Sequence, residues 1–162
     1  MNRLTLVDYL NHCHWMSRAI TLATEAGQNN DVPIGAVIVN LENQVIAEAN
    51  NHKEREKDPT AHAEVRALRQ ASQRLNSWHL QSCILYSTLE PCPMCAGAII
   101  QARVGLLVYG ADDPKSGCIR TVINLPDSDV SNHKLSVISG ILGESCQKLL
   151  SDWFLQRRKR CN

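Results

Sequence analysis

Residues 83–103 constrain the chain more than any other stretch. An apolar run of strand type, residues 83–89, passes through Glu90 into Pro91-Cys92-Pro93-Met94-Cys95. Met94, Ala96, Gly97, Ala98, Ile99 and Ile100 then continue as a short helix that is apolar almost all round and therefore expected in the interior. Its start carries two thiols three residues apart, so within one turn both sulfurs point the same way and can grip one ion. Pro93 suits the first helical position. The peptide N–H groups and helix dipole at that end favour thiolates. A buried strand feeding a helix with a cation grip in its first turn is the point around which the rest must be arranged.

The flanking patterns supply the layers. Residues 7–27 place Tyr9, Cys13, Met16, Ile20 and Ala23 at helical spacing, with Gly27 as the expected stop. Residues 34–39 and 44–49 read as a hairpin joined by Asn40-Leu41-Glu42-Asn43, and residues 53–58 as a polar loop. A second helix is expected to begin near Thr60, with Ala61, Val65, Leu68, Ser72 and Leu75 on its inner stripe. After the central strand and helix come a strand at 104–109, an irregular segment at 112–132 and a short strand at 135–138. The last helix, about 144–160, puts Cys146, Leu149, Leu150, Trp153 and Phe154 on one face and ends in Arg157, Arg158, Lys159 and Arg160. This order predicts an α/β layered domain with a mixed sheet. With 162 residues, no internal repeat and no linker, the whole chain 1–162 is expected to be one domain.

Composition narrows the partners. Seventeen basic against 16 acidic residues leave a formal charge of +1, so a nucleic acid or anionic lipid would have to be held by a local patch. No apolar run approaches the ~18 residues of a membrane span, and Asp8 interrupts the stretch where a signal peptide would be apolar. The expectation is a cytoplasmic protein without a membrane partner. Seven cysteines, an odd number, fit a metal or redox pair plus incidental core thiols in a reducing compartment.

His62, in the first turn expected after Asp58-Pro59-Thr60, is a third candidate ligand beside Cys92 and Cys95. Piece by piece, blander readings stand. A C-x-x-C also marks a redox pair or half of a structural zinc site, a lone histidine is often a cap or a core residue, and Glu64 alone reads as an exposed helical glutamate. A structural site should close with a fourth protein ligand; Cys83, Cys118 and His79 are available, but none has a motif spacing with the pair. Nor does Glu64 complete a capping box with Thr60, since that position is Ala63. Taken together, His62-Ala63-Glu64 and Pro91-Cys92-Pro93-Met94-Cys95 form the H-x-E…P-C-x-x-C signature of zinc nucleoside and nucleobase deaminases. Three protein ligands leave the fourth position of one Zn2+ for water, whose pKa falls from ~15.7 to around 7. Glu64 is the expected catalytic residue, taking the water's proton and returning it to the ring nitrogen and then to the departing ammonia.

A wider resemblance goes further. Residues 58–64, 88–98 and 109–117, the Asn132-His133-Lys134 stretch, and Gly140-Ile141-Leu142 with Cys146, Leu149-Leu150 and Phe154 resemble the bacterial tRNA-specific adenosine deaminases, and the likeness runs over roughly residues 10 to 158. The resemblance implies a cytidine-deaminase-like fold, a three-layer α/β/α sandwich with a central mixed five-stranded sheet. It also implies a homodimer that deaminates adenosine to inosine at the wobble position of a tRNA anticodon. By motif position, His62, Cys92 and Cys95 match the zinc ligands and Glu64 the proton shuttle. Asn51 matches an asparagine that hydrogen-bonds the base, the backbone of Ala63 reads the base edge, and Val32 and Pro33 wall the pocket. Asp113 and Asn132 match positions that contact anticodon nucleotides.

Two departures concern the grip on RNA: Asp112 stands where the family usually has a basic residue, and Leu155 follows Trp153-Phe154 where an arginine is common. A phosphate contact is then either missing or moved to Arg157 or Arg158. The basic run 157–160 is the one candidate phosphate patch; its plain alternative is a solvated helix end whose cations suit the dipole. Two other functions remain open on the residues alone, a free nucleobase or nucleotide deaminase of guanine or cytosine type and a non-catalytic zinc- and RNA-binding subunit.

Overall fold

Alternation along the strands sets the layers. A computed structural model describes residues 5–160, the side chain of Arg160 excepted. Its elements in chain order are α1 (Leu6–Gln28), β1 (Gly35–Asn40), β2 (Val45–Asn50), α2 (Lys53–Glu56), α3 (Ala63–Leu75), β3 (Cys83–Leu89), α4 (Pro93–Gln101), β4 (Leu106–Ala111), β5 (Ser136–Ser139) and α5 (Gly143–Arg160). The strands lie in the order β2-β1-β3-β4-β5. β1 runs antiparallel to β2 and β3, whereas β3, β4 and β5 are parallel. Ala36, Ile38, Leu85 and Leu107 face one side, where α3 and α4 bring Ala63, Ala67, Leu68, Ala71, Ala96 and Ile99. Val37, Val39, Tyr86 and Val108 face the other, against Trp15, Met16, Ala19 and Leu22 of α1 and Cys146 of α5. Both faces are covered, so these strands read as continuous apolar runs. The result is the expected α/β/α arrangement around a mixed five-stranded sheet.

The helix ends differ from expectation in ways that matter for the site. α1 opens with a capping box: Thr5 Oγ1 accepts the N–H of Asp8 at 3.1 Å, and the Asp8 carboxylate accepts the N–H of Thr5 at 3.1 Å. It runs past Gly27 and closes at Asn29 and the left-handed Asn30 (φ 66°). Gly27 serves a close approach instead, since a Cβ there would stand 3.2 Å from Trp153 Cδ1 and 3.3 Å from Pro33 Cβ. α3 begins at Ala63, three residues beyond the expected start, because Asp58 ties Thr60 into a turn through its amide and its hydroxyl, both at 2.7 Å. The buried face of α3 is Ala63, Glu64, Ala67, Leu68 and Ala71; small residues let it lie close on the sheet, while Val65 and Ser72 are half-buried and Leu75 is exposed.

α4 is less interior than its composition suggests. Cys95, Ala96, Ile99 and Ile100 are buried, but Met94, Gly97 and Ala98 are only partly covered, and a Cβ on Gly97 would meet nothing within 4 Å. Residues 53–56 form one helical turn rather than open loop. No described helix is long and apolar enough to cross a membrane.

Candidate active site

α3 and α4 pack against the same face of the sheet, and their first residues are preceded by His62 and Cys92 in extended conformation (φ −72°, ψ 151° and φ −71°, ψ 173°). Neither side chain caps its own helix. They meet each other instead. His62 Nδ1 lies 3.6 Å from Cys92 Sγ and 3.5 Å from Cys95 Sγ, and the three donor atoms are within 4.8 Å of one another. Tetrahedral zinc with ordinary Zn–N and Zn–S bonds separates nitrogen from sulfur by about 3.6 Å, so spacing and donor chemistry both fit the ion. Among the described residues no fourth His, Cys, Asp or Glu joins the group, and Cys83, Cys118 and His79 lie outside it.

The delayed start of α3 also places the carboxylate. His62 stands outside the helix and Glu64 is its second residue, so the two need not diverge as they would within one regular turn. Glu64 is 3% exposed. Its Oε1 accepts from Ser87 Oγ of β3 at 3.4 Å, and its Oε2 is buried with no partner. Burial pushes its carboxyl above the usual range. The thiols are unequal: the hydrogen bond from Cys95 brings Cys92 down to about 4 against the opposing effect of burial, with His62 assisting. The same bond, together with burial, pushes Cys95 up. The hydrogen bond to Cys92 raises His62.

Asn51 follows β2 and is tied to this corner. The N–H of His52 donates to Ala61 O at 2.9 Å, and Arg66 Nη1 donates to Asn50 O at 2.8 Å. Asn51 donates its own N–H to Ile34 O at 3.0 Å and leaves Oδ1 buried without a partner. Among the described residues only three buried side-chain N or O atoms lack a partner; Glu64 Oε2 and Asn51 Oδ1 are two of them, the third being Tyr109 Oη. Buried polar atoms left unpaired ask for an explanation outside the folded chain. Ala63 and Pro33 are buried and Val32 half-buried.

A cavity of about 320 Å3 opens between α5 and the segment after β4, lined by Val32, Leu89, Asp113, Ser116, Leu150 and Phe154 among others. The Asp113 carboxylate turns into its own loop, accepting from the N–H groups of Lys115 (2.9 Å) and Ser116 (3.3 Å) and from Ser116 Oγ (2.7 Å). Asp112 is exposed on the same rim. Asn132 is exposed on the approach to β5, away from this lining.

The basic run is divided. Arg157 Nη1 donates to Asn30 O at 2.9 Å and its guanidinium lies 4.7 Å from the Trp153 ring centroid, while Trp153 Nε1 donates to Gly27 O at 3.1 Å. Arg157 thus fastens α5 to the end of α1, and Arg158 and Lys159 remain exposed. The Arg160 side chain lies outside the described residues. Sequence reasoning passed over Trp153 as a hydrogen-bond donor and Glu90 as a carboxylate between the apolar strand and the turn of Cys92 and Cys95. Only the second had a visible signal, a charge inside a buried run.

Residues 10–158 match the model of the MafB19-like deaminase family. The chain is 44% identical over 146 residues to a tRNA-specific adenosine deaminase of Bacillus subtilis (strain 168), with 90% of each protein covered. It is 42% identical over 144 residues to a tRNA-specific adenosine deaminase of Haemophilus influenzae, covering 89% of this chain and 83% of that one. Among solved structures, one from a study of A-to-I editing by tRNA:A34 deaminases at the wobble position superposes with a TM-score of 0.82 at 40% identity, covering 85% of this chain and 99% of the other. A guanine deaminase from Bacillus subtilis superposes with a TM-score of 0.58 at 34% identity, covering 73% and 85%.

Proposed function

The chain belongs to the MafB19-like deaminase family and, within it, to the tRNA-specific adenosine deaminases, and on that premise we propose that it hydrolyses adenosine to inosine at the wobble position of a tRNA anticodon, releasing ammonia. The buried, partnerless Glu64 Oε2 beside a three-ligand cation site supports this reading, because a purely structural metal site has no use for an unpaired carboxylate. His62 Nδ1, Cys92 Sγ and Cys95 Sγ would hold one Zn2+, which when bound lowers the pKa of water to around 7. Glu64 takes the first proton of the water on Oε2, holds it in a pocket where burial favours the neutral acid, and hands it to the ring nitrogen; it then relays the water's second proton to the departing amine. Asn51 Oδ1 accepts a hydrogen bond from the base. The N–H of Ala63, at the first position of α3 and so without an intrahelical partner, reads the base edge. Val32 and Pro33 wall the pocket.

An anticodon loop suits such a site, since a base already outside a duplex costs least to unstack. Asp113 and Asn132 contact the neighbouring nucleotides, and Arg158, Lys159 and Arg160 provide the phosphate-facing charge, while Arg157 holds α5 against the end of α1. The chain works as a single deaminase domain over residues 1–162, as a homodimer, in the cytoplasm and without a membrane partner. The groove of about 460 Å3 between α3 and α4, lined by Val65, Leu68, Ala98 and Ala102 among others, supports a face for the second copy.

The test is a parallel turnover assay. Zinc-loaded protein is offered an anticodon stem-loop with adenosine at the wobble position, beside free adenosine, cytidine, cytosine and guanine, and inosine and ammonia are followed. Inosine from the stem-loop alone is the expected result. Turnover of a free base with an inert stem-loop overturns the substrate and leaves the zinc chemistry standing.

A further inference from the structure

Glu90 carries a charge that the chemistry above does not use. It is 1% exposed and two residues ahead of Cys92. Its Oε1 accepts three backbone N–H groups, from Ile119 (3.1 Å), Arg120 (2.8 Å) and Thr121 (3.0 Å), and its Oε2 accepts that of Asp113 at 3.1 Å. Its own N–H donates to Ala111 O at 2.8 Å, and the next carbonyl, Pro91 O, accepts from Cys118 at 2.9 Å. The segment from the end of β4 to Thr121 therefore hangs on two residues that lead straight into a metal-ligating thiol. Gly117 completes the fit, because a Cβ there would run into the Glu90 carboxylate and stand 2.6 Å from Asp113 O.

An apolar side chain could fill this volume without burying a charge. A carboxylate adds directed bonds, and these fix where the loop sits rather than merely covering it. The loop is the rim of the cavity shared by Val32, Asp113, Ser116 and Phe154. We propose that Glu90 is a positioning residue, setting the 113–116 rim at the distance from the Cys92 and Cys95 pair that an RNA-borne adenosine requires. This rests on the tRNA reading given above.

Glu90→Gln isolates the effect. With its amide oxygen kept toward Ile119, Arg120 and Thr121, its nitrogen faces the Asp113 N–H, donor against donor, and that one bond is lost. Zinc content per chain should stay unchanged, while KM for the anticodon stem-loop rises about thirtyfold and kcat stays within about threefold. Gly117→Ala presses on the same carboxylate from the opposite side and should give the same split. An unchanged KM in both variants, or a fall in kcat at constant KM, overturns the inference; so does loss of zinc from both folded variants, which would put Glu90 in the service of the metal turn. A parent enzyme inert on the stem-loop instead refutes the tRNA reading itself, before any variant is compared.

Discussion

On the α3–α4 side, His62, Glu64, Cys92 and Cys95 come from two stretches of three and four residues at helix starts; the half-buried His62 and Cys92 and the buried Cys95 converge, and Glu64 is buried on the same helix start as His62. On the α5 side, Trp153 and Arg157 reach carbonyls 126 and 127 positions away in sequence, from a helix whose outer half is exposed. The first region owes its geometry to local backbone, since an extended residue before each helix, His62 and Cys92, throws its donor atom toward the other. The second owes its geometry to a few long-range contacts around a glycine that admits an indole ring. Chemistry and substrate grip should therefore fail separately.

The strongest way to test that separation is Glu64→Gln, which keeps shape and removes the proposed proton carrier. It should lower kcat about a thousandfold with zinc content unchanged, measured as inosine formation beside metal analysis; activity near the parent level would move the proton carrier elsewhere. Stripping the metal comes next. If zinc is held at about a thousand times its Kd, removing it costs about 4 kcal/mol and about 10 °C in Tm, and readdition should restore both stability and activity.

On the α5 side, Arg157→Ala removes a cation–π contact and a hydrogen bond, so KM for the stem-loop should rise about tenfold at nearly constant kcat. An equal loss in kcat would break the comparison. Salt gives a subtler measure. With Arg157 fastened to α1, about three cations remain for phosphate, so log K should fall with log salt at a slope of about −2, and neutralising Arg158 and Lys159 should flatten it by more than half.

The smallest effect concerns His12, buried under the sheet with Nδ1 2.8 Å from Tyr86 Oη. Burial holds its pKa below the ordinary 6.5. As pH falls through 6.5 the unfolded chain takes up a proton that the folded His12 refuses, so stability declines on the acid side, by at most about 1.4 kcal/mol per pH unit. His12→Gln should remove that part of the slope in denaturant titrations at pH 7 and pH 5, leaving the metal side unchanged.

The same contrast explains what could be read in advance. The H-x-E and P-C-x-x-C spacings were legible because the residues of each motif lie together at one helix start, where spacing fixes direction. The start of α3 was misplaced because Asp58 binds Thr60 into a turn, a competition between neighbours that composition alone does not rank. The interior place expected for α4 failed at Met94, Gly97 and Ala98, since apolar composition says nothing of which side another element covers. Glu90 and Arg157 act on backbone groups 23 to 31 and 127 residues away, where no spacing rule carries a signal.

The position of β3 in the sheet bears on how the molecule comes apart. β1 and β2 can close as a hairpin early, but β3 enters between β1 and β4 only after the chain has passed through α3. His62 precedes that central strand and both cysteines follow it, so the three donors meet only when the slow, non-local pairing is complete. A cation that needs all three has little to hold before the barrier and everything to hold after it. Bound zinc would thus leave the refolding rate almost unchanged and act as a brake on unfolding, lengthening the lifetime of the native state.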